Sequence, residues 1–463
     1  MLLPRLFALT LILAAPLQAL ENPTIKWSFQ TGGAIRGDAT LAEDSLYFGS
    51  ADGYVYALDK TNGALRWKTE TGGPISGGVG LSETAVFAAS RDNTLYAIDR
   101  ANGELLWKRE LKSVLPALWA GWDYFTAAPV VSSDTVYLGW GDGTLYALNI
   151  KNGEPRWTFE TEGRIRATAL LADGVLYQPS NDGNLYALDA KTGKLRWTFA
   201  TDGANLDSSQ FGFDRKSIFD SPELADDLIV LGARDGHTYG IDRATGSERW
   251  RLTYGSTWAM STSVDQKNAY VGWSTNDLTC AIDLKSGKEA WKKQLGAHTY
   301  STPLPAGDSV YVACADGKLY RLNKDTGETV WEYPVGCELY SSPKTEAGVI
   351  YLGGDDGRFL ALDSRPAARK AVYEPLELPS NLAFNLVDSA ITPYLVERGF
   401  ERLGSEAELA AFIEEQSSAD RQSVLVLAFD AMPKPLLGED PANGPLRKYL
   451  ETGNKVLSFG TIL

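Results

Sequence analysis

Two histidines, His237 and His298, and three cysteines, Cys280, Cys314 and Cys337, are all the imidazole and thiol chemistry this chain carries. They form no cluster for a transition metal and leave little choice for imidazole acid–base work. Carboxylates are plentiful, but Asp38 and Asp220, which fall where inner strands should begin, sit in no recognisable calcium-binding run and read as solvated or turn residues. No catalytic, cofactor-binding or metal-ligating residue is assigned. An odd number of cysteines cannot all pair within one chain; Cys280 reads as a buried small hydrophobe, and Cys314 with Cys337 is a candidate pair. What remains is binding chemistry. Arg36 and Arg166, in a chain of net charge −15, suit a carboxylate, phosphate or acidic peptide group, or else pair with Asp38 or Asp220. Trp122, Tyr124, Trp258, Tyr300 and Tyr340 supply aromatic anchors beside them. The same net charge repels nucleic acid and anionic membrane surfaces, which excludes both as partners of the average field.

These residues must be held by something, and the sequence repeats. The run LYALDAKTGKLRW, Leu185 to Trp197, recurs as VYALDKTNGALRW, LYAIDRANGELLW, LYALNIKNGEPRW, TYGIDRATGSERW, TCAIDLKSGKEAW and LYRLNKDTGETVW. The repeat tryptophans Trp27, Trp67, Trp107, Trp157, Trp197, Trp250, Trp291 and Trp331 are 40, 40, 50, 40, 53, 41 and 40 residues apart. Within one copy, IRATALLA, GVLYQPS, NLYALDA and KLRWTFA alternate apolar and polar residues, and the Asp182-Gly183 pair suits a tight turn between the second and third runs. A period of about forty residues with four strands and no helix predicts a β-propeller. The last copy lacks a tryptophan strand and the first tryptophan lacks a third strand before it, so the N-terminal strand is expected to complete the last of eight blades and abolish the open edge. Aligned on that frame, Arg36, Ser76, Thr126, Arg166, Phe219, Met260, Tyr300 and Tyr340 start the innermost strands and should ring the mouth of the channel.

The pattern Ala-x-Asp-x-x-Thr-Gly-x-x-x-Trp, as in Ala187 to Trp197, resembles the pyrroloquinoline-quinone (PQQ)-type propeller repeat over residues 24 to 375. That family includes quinone-dependent dehydrogenases, which hold PQQ with calcium, usually under a disulfide between adjacent cysteines, and use an aspartate as base. It also includes cofactor-free proteins such as the outer-membrane assembly factor of the BamB kind. The chain has no adjacent cysteines, so the expectation is a cofactor-free binding or scaffold module for a protein or peptide partner in the cell envelope, or a saccharide. The alternative is a PQQ-dependent dehydrogenase or a carbohydrate-processing enzyme.

Both long insertions, Leu111 to Phe125 and Thr201 to Phe219, fall between a fourth strand and the next first strand, which enlarges one face. The five tryptophans outside the repeat, Trp119, Trp122, Trp140, Trp258 and Trp273, gather on that face, either as packing for the insertions or as ligand contacts. The N-terminus, with Arg5, the apolar run Leu6 to Leu13 and small residues to Ala19, reads as a secretory signal cleaved near Ala19 with no cysteine for a lipid anchor. That predicts a periplasmic or secreted protein with no membrane span. The expected division is a signal at 1–19, a propeller at 20–375 and a linker with a partial α/β domain at 376–463. In the last part, SEAELAAFIEEQ has a capping box at Ser405 and Glu408 with Leu409, Phe412 and Ile413 on one face; GPLRKYLETG is a helix with Leu446, Tyr449 and Leu450 inward; SVLVLAFD and KVLSFG are strands. The segment, FDAMP and PLRKYLETGNKVLSFG especially, resembles the start of a flavodoxin-like domain of the ThuA or glutamine-amidotransferase-like type, truncated and without that family's nucleophilic cysteine.

Overall fold

The computed structural model describes residues 23–115, 126–207, 210, 213–255 and 257–365, and further along 370–373, 392, 395–397, 400–417, 423–427, 445–452 and 454–458. The signal at 1–19, Trp119, Trp122, Tyr124 and the FDAMP run lie outside the described residues. Two compact units emerge, one spanning Thr24–Asp363 and the other comprising the two chain ends.

The first unit holds eight four-stranded antiparallel sheets, each running from an inner strand outward in chain order. The last is different, as the repeat predicts. Its strands Lys344–Glu346, Val349–Gly353 and Arg358–Asp363 are completed by the N-terminal strand Thr24–Gln30, with Trp27 opposite Ala361. This is an eight-bladed propeller closed by its N-terminal strand.

Each conserved-looking letter of the repeat has a mechanical task. The indole N–H of Trp157 donates to the Ala190 carbonyl on the turn of the next blade at 3.1 Å, and Trp67 does the same to Arg100 at 3.0 Å and Trp291 to Lys324 at 2.8 Å. The ring then lies over the glycine of that turn. Gly193 has φ +70°, and a Cβ there would sit 2.7 Å from the Trp157 ring. Tyr186 donates to Asp182 Oδ2 at 2.8 Å, and Tyr56 to Asp52 at 2.7 Å, so the aspartate of the Asp-Gly turn is clamped by the tyrosine four residues on. In the sixth blade Cys280 takes the tyrosine slot, fully buried, and receives the Trp273 indole N–H at 3.3 Å. Replacing Gly193 with alanine combines backbone strain with overpacking of one indole, and should destabilise the propeller by about 2 kcal/mol in urea unfolding. An unchanged unfolding midpoint would refute the docking role.

The second unit contains a parallel sheet of Glu401–Leu403, Lys370–Tyr373, Val424–Leu427 and Lys455–Ser458, in that spatial order. In chain order this is 2-1-3-4, the arrangement with which a flavodoxin-like doubly wound sheet begins. Its first strand starts at Lys370, so this sheet takes residues that the repeat alignment gave to the propeller; the boundary falls after Asp363 rather than at 375. The capping box forms as expected: Glu408 N–H donates to Ser405 Oγ at 3.3 Å and Ser405 N–H to Glu408 Oε2 at 3.1 Å, at the start of helix Glu406–Ser417. Leu409, Phe412, Ile413 and Tyr449 are buried, whereas Leu450 is 45% exposed, because the short helix Pro445–Glu451 turns only one face inward. Ser423, Tyr449 and Asn454 close a buried network in which Ser423 Oγ lies 2.7 Å from the Tyr449 hydroxyl.

Candidate functional site at the axial mouth

The eight residues that start the innermost strands meet. Arg36, Ser76, Thr126, Arg166, Phe219, Met260, Tyr300 and Tyr340, one from each blade, line a single cavity of about 150 Å³ on the propeller axis. Beneath them, side chains of one blade accept backbone N–H groups of its neighbour: Thr168 Oγ1 from Ala128 at 2.9 Å, Ser221 Oγ from Thr168 at 3.0 Å, Ser342 Oγ from Thr302 at 2.9 Å and Asp38 Oδ1 from Ser342 at 2.8 Å. Small polar residues there are therefore rivets between blades, and Asp38 is one of them while its side chain stays partly open to solvent. Its other oxygen lies 3.3 Å from Lys344 Nζ.

Arg36 pairs with neither Asp38 nor Asp220. Its Nε and Nη2 donate to Asp355 at 2.5 and 3.0 Å, a bidentate clamp across the ring closure, and its guanidinium lies 5.4 Å from the centre of the Tyr340 ring. Tyr340 is 5.5 Å from Tyr300, and His298 is 5.7 Å from Tyr300, so an arc of rings runs along one side of the mouth. Burial raises the Tyr300 hydroxyl pKa, with Arg234 opposing it. Arg166 is buried, and Gly141 makes room for it: a Cβ at that glycine would lie 2.3 Å from Arg166 Nη1.

Sequence reasoning missed Arg234. It is buried between Phe219 and Trp258, with its guanidinium 4.0 and 4.1 Å from the two ring centres, and it pairs with Asp214 of the second insertion at 2.9 Å. Burial lowers its pKa against the pull of Asp214. The available signal was its place before an Asp-Gly turn, a position shared with Arg91 before Asp92, on loops that emerge at this face. Of the described tryptophans outside the repeat, Trp258 reaches the mouth through Arg234 and Phe219, whereas Trp140 and Trp273 are 1% and 0% exposed and belong to blade cores.

Asp220 overturns the solvated reading. At every other blade its position is Gly, Ala or Ser, yet here a carboxylate is 2% exposed, accepting from Gly232 N at 2.6 Å and Thr262 N at 2.9 Å. Burial pushes its pKa up to about 7 despite those donors, and burial likewise takes Glu223 to about 7 against the attraction of Lys344. The three cysteines are unpaired; Cys314 donates to the Ala297 carbonyl at 3.2 Å instead of joining Cys337.

The sequence profile of the family described as outer membrane protein assembly factor BamB matches residues 51–170, 160–264 and 234–396. The chain belongs to that family. BamB from Moraxella catarrhalis is similar in structure with a TM-score of 0.63 and 21% identity, over 74% of this chain and all of that one. The quinohemoprotein alcohol dehydrogenase from Comamonas testosteroni scores 0.62 at 15% identity over 81% of each chain, and the computationally designed Ika8 protein 0.60 at 15% over 73% and 99%. These likenesses establish the fold alone. Residues 367–462 match a second profile, the MJECL34 family. Curated proteins give no match. Within this BamB-type chain, no described helix is long and apolar enough to cross a membrane.

Proposed function

We propose that this BamB-type propeller is an exported, non-enzymatic binding module that captures a protein partner in the cell envelope on the face around the axial mouth. The supporting observation is the convergence of one residue from each of eight blades on one cavity, flanked by two arginines held against aromatic rings. Guanidiniums fixed by Asp355 and Asp214 lose little rotamer freedom on contact, and Trp258, Tyr300 and Tyr340 offer broad apolar anchors. The family description, an assembly factor, agrees with a protein partner. A PQQ-dependent dehydrogenase would need the quinone and calcium in the axial cavity. The two carboxylates of the described lining are already engaged within the protein, Asp38 by Ser342 N–H and Lys344 and Asp220 by the N–H groups of Gly232 and Thr262, which argues against their serving a calcium ion there.

Capture of envelope proteins by immobilised protein tests the proposal. Trp258→Ala and Tyr340→Ala should each weaken capture by about 1 to 4 kcal/mol with unchanged circular dichroism, since neither residue belongs to the blade-building repeat. Full capture by both variants, with loss on substitution of the opposite face, would move the site. A thermal shift with PQQ and calcium together with dye-linked alcohol oxidation would replace this reading by the dehydrogenase.

A further inference from the structure

Inner strands start at the axial mouth, so the turns that follow them, and the turns from third to fourth strands, emerge on the opposite face. There two side chains of the repeat seal each blade to the next. The first is a ring on the second strand that packs against the blade's own tryptophan, as Tyr177 does against Trp197 with ring centres 5.7 Å apart, in every blade except the fifth. The second side chain directly follows the third strand. Lys60, Arg100, Arg243 and Lys324 occupy that place, and each reaches a carboxylate at or beside the first turn of the preceding blade: Glu346, Glu43 at 3.8 Å, Asp173 at 2.5 Å and Asp265 at 3.2 Å. Where Ile150 and Ala190 take the place instead, the preceding blade keeps its ring, Phe87 and Tyr137.

Between blades five and six both side chains are missing. Val230 stands in the position of the ring and Leu284 in that of the basic residue. Lacking its ring, Trp250 settles over Gly240, where a Cβ would lie 2.2 Å from the indole. The carboxylate, by contrast, is kept. Asp226 precedes the strand Leu228–Gly232 as Asp173 precedes Val175–Pro179, with the same left-handed backbone, φ +53° and +47°. Asp173 holds Arg243, whereas Asp226 is exposed and makes no ion pair or side-chain hydrogen bond among the described residues. The result is an open cleft of about 1100 Å³, with Leu224, Trp250, Val264 and Leu284 as its apolar lining and Asp226 among its polar groups. Its other carboxylates are engaged, Asp227 by Arg249, Asp265 by Lys324 and Asp283 by the N–H and hydroxyl of Ser286. Of its two lysines, Lys267 is drawn to Asp325 at 3.7 Å, outside the lining, and Lys285 is exposed.

We infer that this cleft takes an arginine from an extended segment of a protein partner, whose guanidinium meets Asp226 as Arg243 meets Asp173 within the chain. The arginine stem lies along Trp250. Side chains two residues to either side point the same way on an extended strand, and apolar ones there cover Leu224, Val264 and Leu284. None of these residues lines the axial cavity, so the cleft is a second recognition site, beyond capture at the mouth.

Titration calorimetry of the full chain with the blocked peptide acetyl-Leu-Ser-Arg-Ser-Leu-amide tests it. The peptide should bind, and its counterpart with citrulline for arginine, which keeps the shape and removes the charge, should bind about tenfold more weakly, because a hydrogen bond to a charged group is worth that much. Asp226→Asn places a residue that accepts the same positive φ, and should weaken binding by a similar factor with an unchanged melting temperature. Leu284→Arg should supply from within the chain what the peptide brings, and abolish binding without lowering the melting temperature. Should Leu284→Arg fail to fold, Asp226→Asn decides alone. Tyr340→Ala should bind the peptide with full affinity while losing envelope capture, which separates failure here from failure of the reading at the mouth. No binding of the arginine peptide, equal affinity for the citrulline peptide, undiminished affinity in Asp226→Asn or in a folded Leu284→Arg, or loss of peptide binding in Tyr340→Ala would overturn the assignment.

Discussion

Deleting Glu21 to Thr31 should abolish the cooperative fold of the propeller. The segment supplies the outer strand of the eighth blade, pairing Thr24 with Asp363 through Gln30 with Arg358. It also supplies Trp27, whose ring lies 6.0 Å from Phe359 and whose indole donates to the Lys60 carbonyl of the first blade at 3.1 Å. Loss of one such tryptophan costs about 3–5 kcal/mol by cavity formation alone. The deletion removes in addition Thr31, whose hydroxyl donates to Gly357 O at 2.9 Å, and it uncovers Phe48 and Phe359, which are 0% exposed in the closed ring. Against a typical stability of about 5–15 kcal/mol, that leaves an open edge, exposed rings and a propensity to associate. Size-exclusion chromatography with thermal melting reads the result. A monomeric deletion variant with an unaltered melt contradicts the closure. A synthetic peptide of residues 21–31 added in trans should restore the melt, and the same peptide carrying Trp27→Ala should not.

The repeat made this closure legible because each letter acts locally. An Asp-Gly turn, a tyrosine four residues on and a tryptophan forty residues from the next describe one blade, and blades meet only their neighbours. The ring of inner-strand starts followed from the same alignment, and all eight residues line the axial cavity. What the alignment could not give was pairing across the ring. Arg36 and Asp355 are 319 residues apart and become neighbours only when the ends meet. Arg234 escaped because its partner Asp214 sits in an insertion outside the repeat frame. The sheet of the second unit was partly legible in its helix cap and buried strands, but its first strand was hidden. Lys370–Tyr373 is four residues long and continues the last repeat without a break in composition.

Asp220 was misread for a physical reason that yields the second large effect, a loss of stability as pH rises from about 4 to 8. A carboxyl buried behind the axial mouth is held near pKa 7 from an ordinary 3.8, so the folded state binds a proton that the unfolded chain releases. Stability from this group is complete below the unfolded value and is lost as pH climbs through the folded one. The shift of 7 − 3.8, about 3 units, sets an upper bound of about 4 kcal/mol. Glu223, also near 7, adds in the same direction, while Lys344 opposes it from the strand that also meets Asp38. Asp189 and Asp242, held near 2 by Arg196 and Arg249, titrate below this window and do not contribute to it. Urea unfolding at pH 5 and pH 8 should therefore show a higher midpoint at pH 5. Asp220→Ser installs the residue found at this position in the last three blades. It orphans Gly232 N and Thr262 N at every pH, so its overall stability is lower, but its slope between the two pH values should be shallower than that of the parent. Glu223→Gln, which keeps the side-chain length, should flatten the remaining slope. Parallel slopes in parent and both variants would assign the pH dependence to other groups and leave Asp220 ionised throughout.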